Sequence, residues 1–369
     1  MIDAHQDELW MKLALRLARR AWGNVAPNPL VGAVIVKDGQ LISTGYHKKQ
    51  GTAHAEVIAI TEAGERARGA TIYVTLEPCC HWGSTPPCTQ AIIEAGLLRV
   101  VFSQTDPNPK VRQCDSKKIL LDAGINVHSG VLLKQAKEQN RYFNTSILTG
   151  YPYVTLKLGM TIDGMIADRY GTSKWITNEH SRQFVQKLRR EHDAVLVGIG
   201  TVLADDPSLT VRDPKKKQPI RIILDPQLES PLDAALFKGV GQTFIITQSS
   251  HHDSEKAKIL QTLGAVVLGL DLIDEQFNID ELLVLLSKQG IWSVLVEGGG
   301  GVAQAFERSG RINRYIVFQA PKILADKEAK HGFSGNWDHP LSQVSTLKLI
   351  TVRRYGDDVM LVYEPKKLS

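Results

Sequence analysis

Short apolar segments alternate with amphipathic ones along most of this chain, and that alternation restricts it to sheets covered by helices. From His54 onward the order is helix (55–63), strand (71–76), helix (88–95), strand (99–103), helix (115–123) and strand (125–127). Ahead of it, Leu9, Trp10, Leu13, Ala14, Leu17 and Ala18 recur at helical spacing against Lys12, Arg16, Arg19 and Arg20, the pattern of a packing helix. Residues 31–36 and 41–45 read as strands joined at Asp38-Gly39, a dipeptide suited to a tight hairpin. One longer helical stretch, 132–148, ends at Gly150-Tyr151-Pro152, because proline disfavours helix for its predecessor. The boundary is expected there, with one domain over 1–149 and another over 150–369. The second series has strands near 153–158, 194–198, 220–224, 243–247, 265–268 and 291–296, and helices near 178–190, 254–263, 279–288 and 302–308. Further strands are expected at 314–318, 347–352 and 359–363, so both halves are α/β.

At 369 residues the chain is longer than one hydrophobic core usually spans, which agrees with two domains. An apolar share of 43% with 22% charge argues against global disorder. No run approaches the ~18 consecutive apolar residues of a membrane span, and Met1-Ile2-Asp3-Ala4-His5 lacks the order of an export signal. A cytoplasmic protein without a membrane partner is expected. The net charge of +5 comes partly from runs such as Lys215-Lys216-Lys217, which usually mark a solvated loop. It neither requires nor excludes nucleic acid, and a small phosphorylated substrate fits it equally well.

Four cysteines, three of them gathered at Cys79, Cys80 and Cys88, make a poor disulfide framework for this length. Near a His-x-Glu they point to metal or redox chemistry. His54-Ala55-Glu56 opens a helix, while Pro78-Cys79 and Cys88 bound a loop that enters another through Pro86-Pro87. One imidazole and two thiolates suit a catalytic zinc, whose fourth tetrahedral position must stay open for a water of lowered pKa. Cys88, in the first turn of its helix, gains from the dipole and from unpaired backbone N–H groups. Glu56 stands close enough at a helix start to reach the open position and act as a proton shuttle, as hydrolytic deamination requires. Nucleobase deaminases carry Pro-Cys-x-x-Cys, and here the second thiol comes nine residues after the first, so the logic matches and the spacing does not. The alternative is a structural zinc site, or buried thiols beside a surface Glu.

The strings Pro27-Asn28-Pro29-Leu30-Val31-Gly32-Ala33-Val34, His54-Ala55-Glu56-Val57, Thr75-Leu76-Glu77-Pro78-Cys79-Cys80-His81-Trp82-Gly83-Ser84-Thr85-Pro86-Pro87-Cys88 and Asp106-Pro107-Asn108-Pro109 resemble the bifunctional riboflavin biosynthesis deaminase/reductase family, RibD. The resemblance continues through Lys157-Leu158-Gly159, Asp163-Gly164, Ser173-Lys174-Trp175-Ile176-Thr177, Thr201-Val202-Leu203-Ala204-Asp205-Asp206-Pro207 and Glu297-Gly298-Gly299. It implies a cytidine-deaminase-like three-layer αβα domain followed by a dihydrofolate-reductase-like α/β domain. It also implies Zn2+ on His54, Cys79 and Cys88, with Glu56 as acid/base. The substrate implied is 2,5-diamino-6-(5-phosphoribosylamino)pyrimidin-4-one, deaminated and then reduced by NADPH to a ribityl chain. NADPH contacts fall to Gly159, Trp175, Thr201, Asp205 and the loop Gly299-Gly300-Gly301-Val302, and substrate contacts to Lys157, Ser173, Arg189, Leu209, Arg212 and Glu297. A homodimer through the reductase domain is implied too. The sequence departs from the family at Cys80, usually Ser, a competing soft ligand beside the Cys79 chosen because it follows Pro78. It departs again after Val111, where Arg112-Gln113-Cys114-Asp115 replaces a glycine-rich stretch.

Read without the resemblance, the second half says less. Residues 291–296 form a short apolar strand that leads through Glu297 and four glycines into a helix, so backbone N–H groups can approach a phosphate. Gly298, Gly300 and Ala303 fit a G-x-G-x-x-A spacing, but near the end of the domain rather than in its first turn, which disfavours a doubly wound dinucleotide fold. Such a loop also serves tight turning alone. Arg189 by itself reads as a solvated helix residue, and Lys157 as either a ribose or phosphate contact or a structural group. A nucleic-acid deaminase with an RNA-binding second half would need a basic, aromatic-rich surface, and aromatics make up only 7%. A non-catalytic zinc scaffold is the third reading.

Overall fold

A computed structural model of the chain describes residues 4–82, 86–109, 114–213, 215–335 and 340–366. The chain divides into two compact units, Met1–Tyr151 and Pro152–Ser369.

The first unit contains α1 (Ala4–Ala18), β1 (Gly32–Lys37), β2 (Gln40–Tyr46), α2 (Ala55–Ala63), β3 (Thr71–Leu76), α3 (Cys88–Glu94), β4 (Arg99–Gln104), α4 (Ser116–Asp122), β5 (Asn126–Ser129), α5 (Leu133–Gln139) and α6 (Arg141–Thr149). Its sheet has the order β2-β1-β3-β4-β5. β1 is antiparallel to β2 and β3, while β3, β4 and β5 run parallel. Strand residues alternate between faces. Ala33, Ile35, Ile72, Val74, Val100 and Phe102 pack with Ala55, Ala59, Ile92 and Leu120 of α2, α3 and α4. Val34, Val36, Tyr73 and Val101 pack with Met11, Ala14 and Ala136 of α1 and α5 on the other face. The result is three layers, in which each fully buried Ile or Leu contributes roughly 1.5–3 kcal/mol. α1 is also pinned by charge: Arg99 grips Asp7 in two-point fashion at 2.8 and 2.7 Å, and Tyr73 Oη donates to the same carboxylate at 2.9 Å.

The second unit contains β6 (Tyr153–Met160), β7 (Met165–Ala167), α7 (Glu179–Glu191), β8 (Ala194–Gly198), α8 (Ile199–Asp205), β9 (Ile220–Leu224), β10 (Thr243–Thr247), α9 (Glu255–Thr262), β11 (Ala265–Gly269), β12 (Leu272–Ile273), β13 (Gln276–Phe277), α10 (Ile279–Lys288), β14 (Ser293–Val296), α11 (Gly300–Ser309), β15 (Arg314–Gln319), β16 (Lys330–His331), β17 (Leu347–Tyr355) and β18 (Asp358–Pro365). The main sheet has the order β11-β10-β9-β8-β14-β6-β15-β18-β17, parallel from β11 to β15 and antiparallel beyond. Val195, Val197, Ile223, Ile245 and Val267 face a core shared with Leu188 of α7, Val202 of α8 and Leu260 of α9.

Several features differ from the sequence expectation, among them the short strands β7, β12, β13 and β16, which were not anticipated. The stretch expected as one helix over 132–148 is split into α5 and α6 at Asn140, whose amide accepts from Leu30 N at 2.8 Å and donates to Leu30 O at 3.0 Å. A side chain pairing with a distant backbone here wins over local helix propensity. α8, whose Ile199-Gly200-Thr201-Val202 start carries no helical signature, was not anticipated, and α11 begins at Gly300 rather than near 302.

Gly45 of β2 sets the position of α2. A Cβ there would lie 2.1 Å from Ala55 O and 2.8 Å from Ala59 N, so the helix approaches the strand only because no side chain intervenes. Gly45→Ala is expected to displace α2 and cost about 1–3 kcal/mol by overpacking, read as a lower denaturation midpoint for the first unit in urea.

Candidate active sites

His54 is the N-cap of α2, with an extended backbone (φ −69°, ψ 159°) that leaves its ring at the helix mouth. Cys88 opens α3, and Cys79 lies just past the carboxyl end of β3. The ligand atoms of His54, Cys79 and Cys88 lie within 4.8 Å of one another. His54 Nδ1 is 3.2 Å from Cys88 Sγ and 3.6 Å from Cys79 Sγ, and Cys88 N donates to Cys79 Sγ at 3.3 Å. The hydrogen bond from Cys88 brings the Cys79 thiol down to about 4, and the one to Cys79 lifts His54 to about 8. Cys88 is pushed up by the same sulfur contact and by burial, so one negative charge is shared between two sulfurs. A dication among the three atoms would deprotonate both, which is the behaviour of a soft donor set fit for zinc.

Glu56, buried in the first turn of α2, is raised to about 7 by burial, although His54 opposes the shift. A carboxyl poised near neutrality can both hold and release a proton at working pH.

His47 escaped the sequence reading. It is buried at the end of β2; its Nε2 lies 3.0 Å from Asn28 Nδ2, its Nδ1 lies 3.2 Å from Ala53 O, and its ring stands edge-on to His54 with centroids 5.8 Å apart. Burial lowers its pKa, which keeps it neutral beside the site. Only the β1–β2 register brings it there, and no local motif marks it.

The reading of the cysteines needs a correction. Cys80 is not a free rival to Cys79: it forms a disulfide with Cys114, with Cα atoms 6.1 Å apart. Their separation of 34 residues hides their proximity, since β3 and β4 are parallel neighbours and the loops leaving them emerge side by side. Glu77 ties the same loops at their roots, accepting from Ser116 Oγ at 2.5 Å and Asp106 N at 3.2 Å. Gly83, Ser84 and Thr85 of the loop between Cys79 and Cys88, and residues 111–113 of the altered loop, lie outside the described residues.

In the second unit, all the reductase candidates line one cavity of about 990 Å³: Lys157, Gly159, Ser173, Trp175, Arg189, Thr201, Asp205, Leu209, Arg212, Glu297 and Gly299 to Val302. It opens at the carboxyl ends of β6, β8 and β14, where open α/β sheets bind ligands. Gly299 caps α11 without a side-chain hydrogen bond, leaving first-turn N–H groups available to an anion. Gly300 is required sterically: a Cβ there would fall 2.2 Å from Ser334 Oγ and 2.4 Å from His331 O. Gly299 N donates to Thr201 Oγ1 at 3.2 Å, and Ser173 Oγ donates to Asp205 at 3.0 Å, so α8 braces both the glycine loop and the loop after β7. Arg182, which the sequence reading did not single out, lies over the Trp175 ring, 4.3 Å from its centroid.

Arg189, one of the residues lining the cavity, is also tied to Glu297. Its Nε and Nη2 donate to Glu297 at 2.7 and 3.2 Å, and its Nη1 donates to Thr210 O at 3.1 Å. Lys157 Nζ lies 3.2 Å from the same carboxylate. Burial pushes Glu297 up, but the two cations outweigh it and bring it down to about 2.

Two family profiles match the chain: "RibD C-terminal domain" over residues 152–361 and "Cytidine and deoxycytidylate deaminase zinc-binding region" over residues 4–104. Riboflavin biosynthesis protein RibD of Aquifex aeolicus (strain VF5) is 48% identical over 322 residues, covering 87% of this chain and 88% of its own. The chain belongs to the RibD family. Acinetobacter baumannii RibD superposes with a TM-score of 0.88 at 38% identity, covering 99% of this chain and 100% of that one. A Thermotoga maritima diaminohydroxyphosphoribosylaminopyrimidine deaminase/5-amino-6-(5-phosphoribosylamino)uracil reductase follows at 0.87 and 35%, covering 98% and 99%. Like the RibD family as a whole, this is a bifunctional enzyme of riboflavin biosynthesis, with a cytidine-deaminase-like hydrolase unit and a reductase unit. The nucleic-acid deaminase reading is not favoured.

Glu297, held at about 2 against roughly 4.3 when unfolded, contributes stability that is complete above about pH 4.3 and lost as the pH falls through about 2. Glu297→Gln leaves the half-buried Arg189 and Lys157 without their shared carboxylate and should cost about 1–3 kcal/mol at neutral pH. Urea unfolding from pH 2 to 7 checks both effects, because the acid limb due to Glu297 is absent in the variant.

Proposed function

We propose that the first unit deaminates 2,5-diamino-6-(5-phosphoribosylamino)pyrimidin-4-one and that the second reduces the resulting uracil's ribose to a ribityl chain with NADPH. The observation that carries the reading is the convergence of one imidazole and two sulfurs within 4.8 Å beside a fully buried glutamate. His54, Cys79 and Cys88 hold Zn2+, and Glu56 is the acid/base. When bound, zinc supplies Lewis acidity toward water and NADPH supplies hydride. Glu56 takes a proton from the attacking water and passes it to the ring nitrogen, then carries the hydroxyl proton of the tetrahedral adduct to the amino group, whose C–N bond breaks to release ammonia as the carbonyl forms. His47, neutral and held by Ala53 O, braces the pocket beside His54.

In the reductase unit Gly159, Trp175, Thr201, Asp205 and Gly299 to Val302 bind NADPH, whose phosphates suit the uncapped start of α11. Lys157, Ser173, Arg189, Leu209, Arg212 and Glu297 face the substrate. Arg212 takes the phosphate, since the Arg189 fork is engaged by Glu297. Glu297 in turn holds Lys157 against the ribose. The domain division, 1–149 and 150–369, keeps each set of residues within one unit. A cytoplasmic location belongs to the same proposal; among the described residues no helix is long and apolar enough to cross a membrane.

Homodimerisation through the reductase unit is part of the reading as well. β17 is an edge strand whose Leu349, Ile350 and Val352 are exposed, a feature that favours pairing with a second copy. Sedimentation at micromolar concentration should give a dimer, and Val352→Lys should shift it toward monomer.

Glu56→Ala should lower ammonia release by at least about 10²-fold while NADPH oxidation with pre-deaminated substrate persists. Supplying the diaminopyrimidine with NADPH, and scoring ammonia, cofactor oxidation and zinc per chain together, tests the whole assignment. Cofactor oxidation that precedes ammonia release would overturn the order.

A further inference from the structure

We propose that the Cys80–Cys114 disulfide is a reversible redox latch on the deaminase unit: oxidised, it binds the zinc loop to the segment after β4, and reduced, it frees both and slows deamination. The inference rests on the zinc-deaminase reading of His54, Cys79, Cys88 and Glu56.

The placement of the bridge carries the argument. Cys80 is bonded in sequence to Cys79, so whatever holds its Cα also restrains a metal-binding sulfur one residue away. The ring that the disulfide closes runs from Cys80 to Cys114 and contains Cys88, which leaves Cys79 immediately outside it and the other sulfur within. On the far side, Cys114 directly precedes Asp115, whose side chain caps α4 by accepting from Lys118 N at 2.9 Å. Backbone pairing of Glu77 N with Gln104 O at 2.8 Å, and the Glu77 contacts to Ser116 and Asp106, fasten the roots of the two loops. Further out, the covalent bond fastens them. Opening it gives the zinc loop a second soft sulfur beside Cys79 and removes the tether that fixes where either sulfur sits.

The chemistry is ordinary thiol–disulfide exchange. A thiolate of an external dithiol attacks one sulfur, a mixed disulfide forms as the Cys80–Cys114 bond breaks, and the second thiol of the reductant displaces the protein sulfur. Two electrons pass to the protein; Cys80 and Cys114 each leave as thiols, and the dithiol leaves as its cyclic disulfide. The reverse step needs a small-molecule disulfide as oxidant. Cys80 and Cys114 are both half-buried rather than enclosed, which leaves the bond open to a small thiol. Disulfides in a thiol-reducing compartment are characteristically labile and regulatory rather than permanent staples.

The test uses the full-length zinc-loaded protein, treated with dithiothreitol or with oxidised glutathione in a zinc-buffered solution. Peptide mass counts free Cys80 and Cys114, and rates are measured for ammonia release and for NADPH oxidation with pre-deaminated substrate. Reduction is expected to lower deamination about tenfold, as loss of support around metal ligands does, and to lower the melting midpoint of the first unit by about 10 °C. NADPH oxidation should not change, and oxidised glutathione should restore the rest. Cys114→Ser, away from the metal, should show the reduced values whichever reagent is added. Equal deamination rates in oxidised, reduced and Cys114→Ser protein would overturn the latch, as would two free thiols after treatment with oxidised glutathione. An oxidised, zinc-loaded protein that releases no ammonia would instead sink the deaminase reading on which the latch rests.

Discussion

Two helix starts must meet over the end of β3 for one imidazole and two sulfurs to share a point in space. Much of the first unit serves that meeting. The parallel run of β3 and β4 sends two loops out on the same side, and α2 and α3 start at that edge, with His54 as the N-cap of one and Cys88 as the first residue of the other. α2 lies close to β2 because Gly45 lacks a side chain, and the alanines at 55 and 59 keep the contact shallow. Short side chains thus act at a distance, by setting how far the helix that carries Glu56 reaches into the site.

Two buried glutamates illustrate how environment decides the role of one residue type. Glu56 and Glu297 both lose water, which favours the protonated form of each. Glu297 sits between a guanidinium and an ammonium and stays ionised far below neutrality, a fixed anion that organises Arg189 and Lys157. Glu56 has no such pair of cations and is lifted toward neutrality, where proton transfer in either direction is cheap. The company each carboxylate keeps therefore separates a fixed anion from a carboxyl able to exchange a proton near neutrality.

In the second unit the parallel sheet performs the corresponding service. The carboxyl ends of β6, β8 and β14 bring Lys157, Gly198 and Glu297 to one rim, with α8 and α11 rising from it. The hydrogen bond from Gly299 N to Thr201 couples the two helix starts, so the glycine loop is fixed by a neighbour rather than left to its own flexibility. The sheet positions the polar groups of the cavity, and the glycines admit close approach of a ligand to backbone.

Local order was legible from the sequence, because periodicity and turn chemistry act over a few residues. The hairpin at Asp38-Gly39, the helix over 55–63 and the strands over 71–76, 194–198 and 243–247 follow from patterns within each segment. So does the singling out of His54, Cys79 and Cys88, which the fold brings into one cluster able to hold a metal. What the sequence could not decide were encounters across long separations: Asn140 breaking a helix to pair with Leu30, His47 arriving beside His54, Arg189 closing on Glu297 and Cys80 finding Cys114. Each depends on which strands lie side by side and where their loops emerge, a property of the whole sheet that no local window contains. By itself the sequence determined two α/β units and the donors available to a metal; only the tertiary structure sorted four sulfurs into a clustered pair beside His54 and a bridge, because strand order fixes which of them meet.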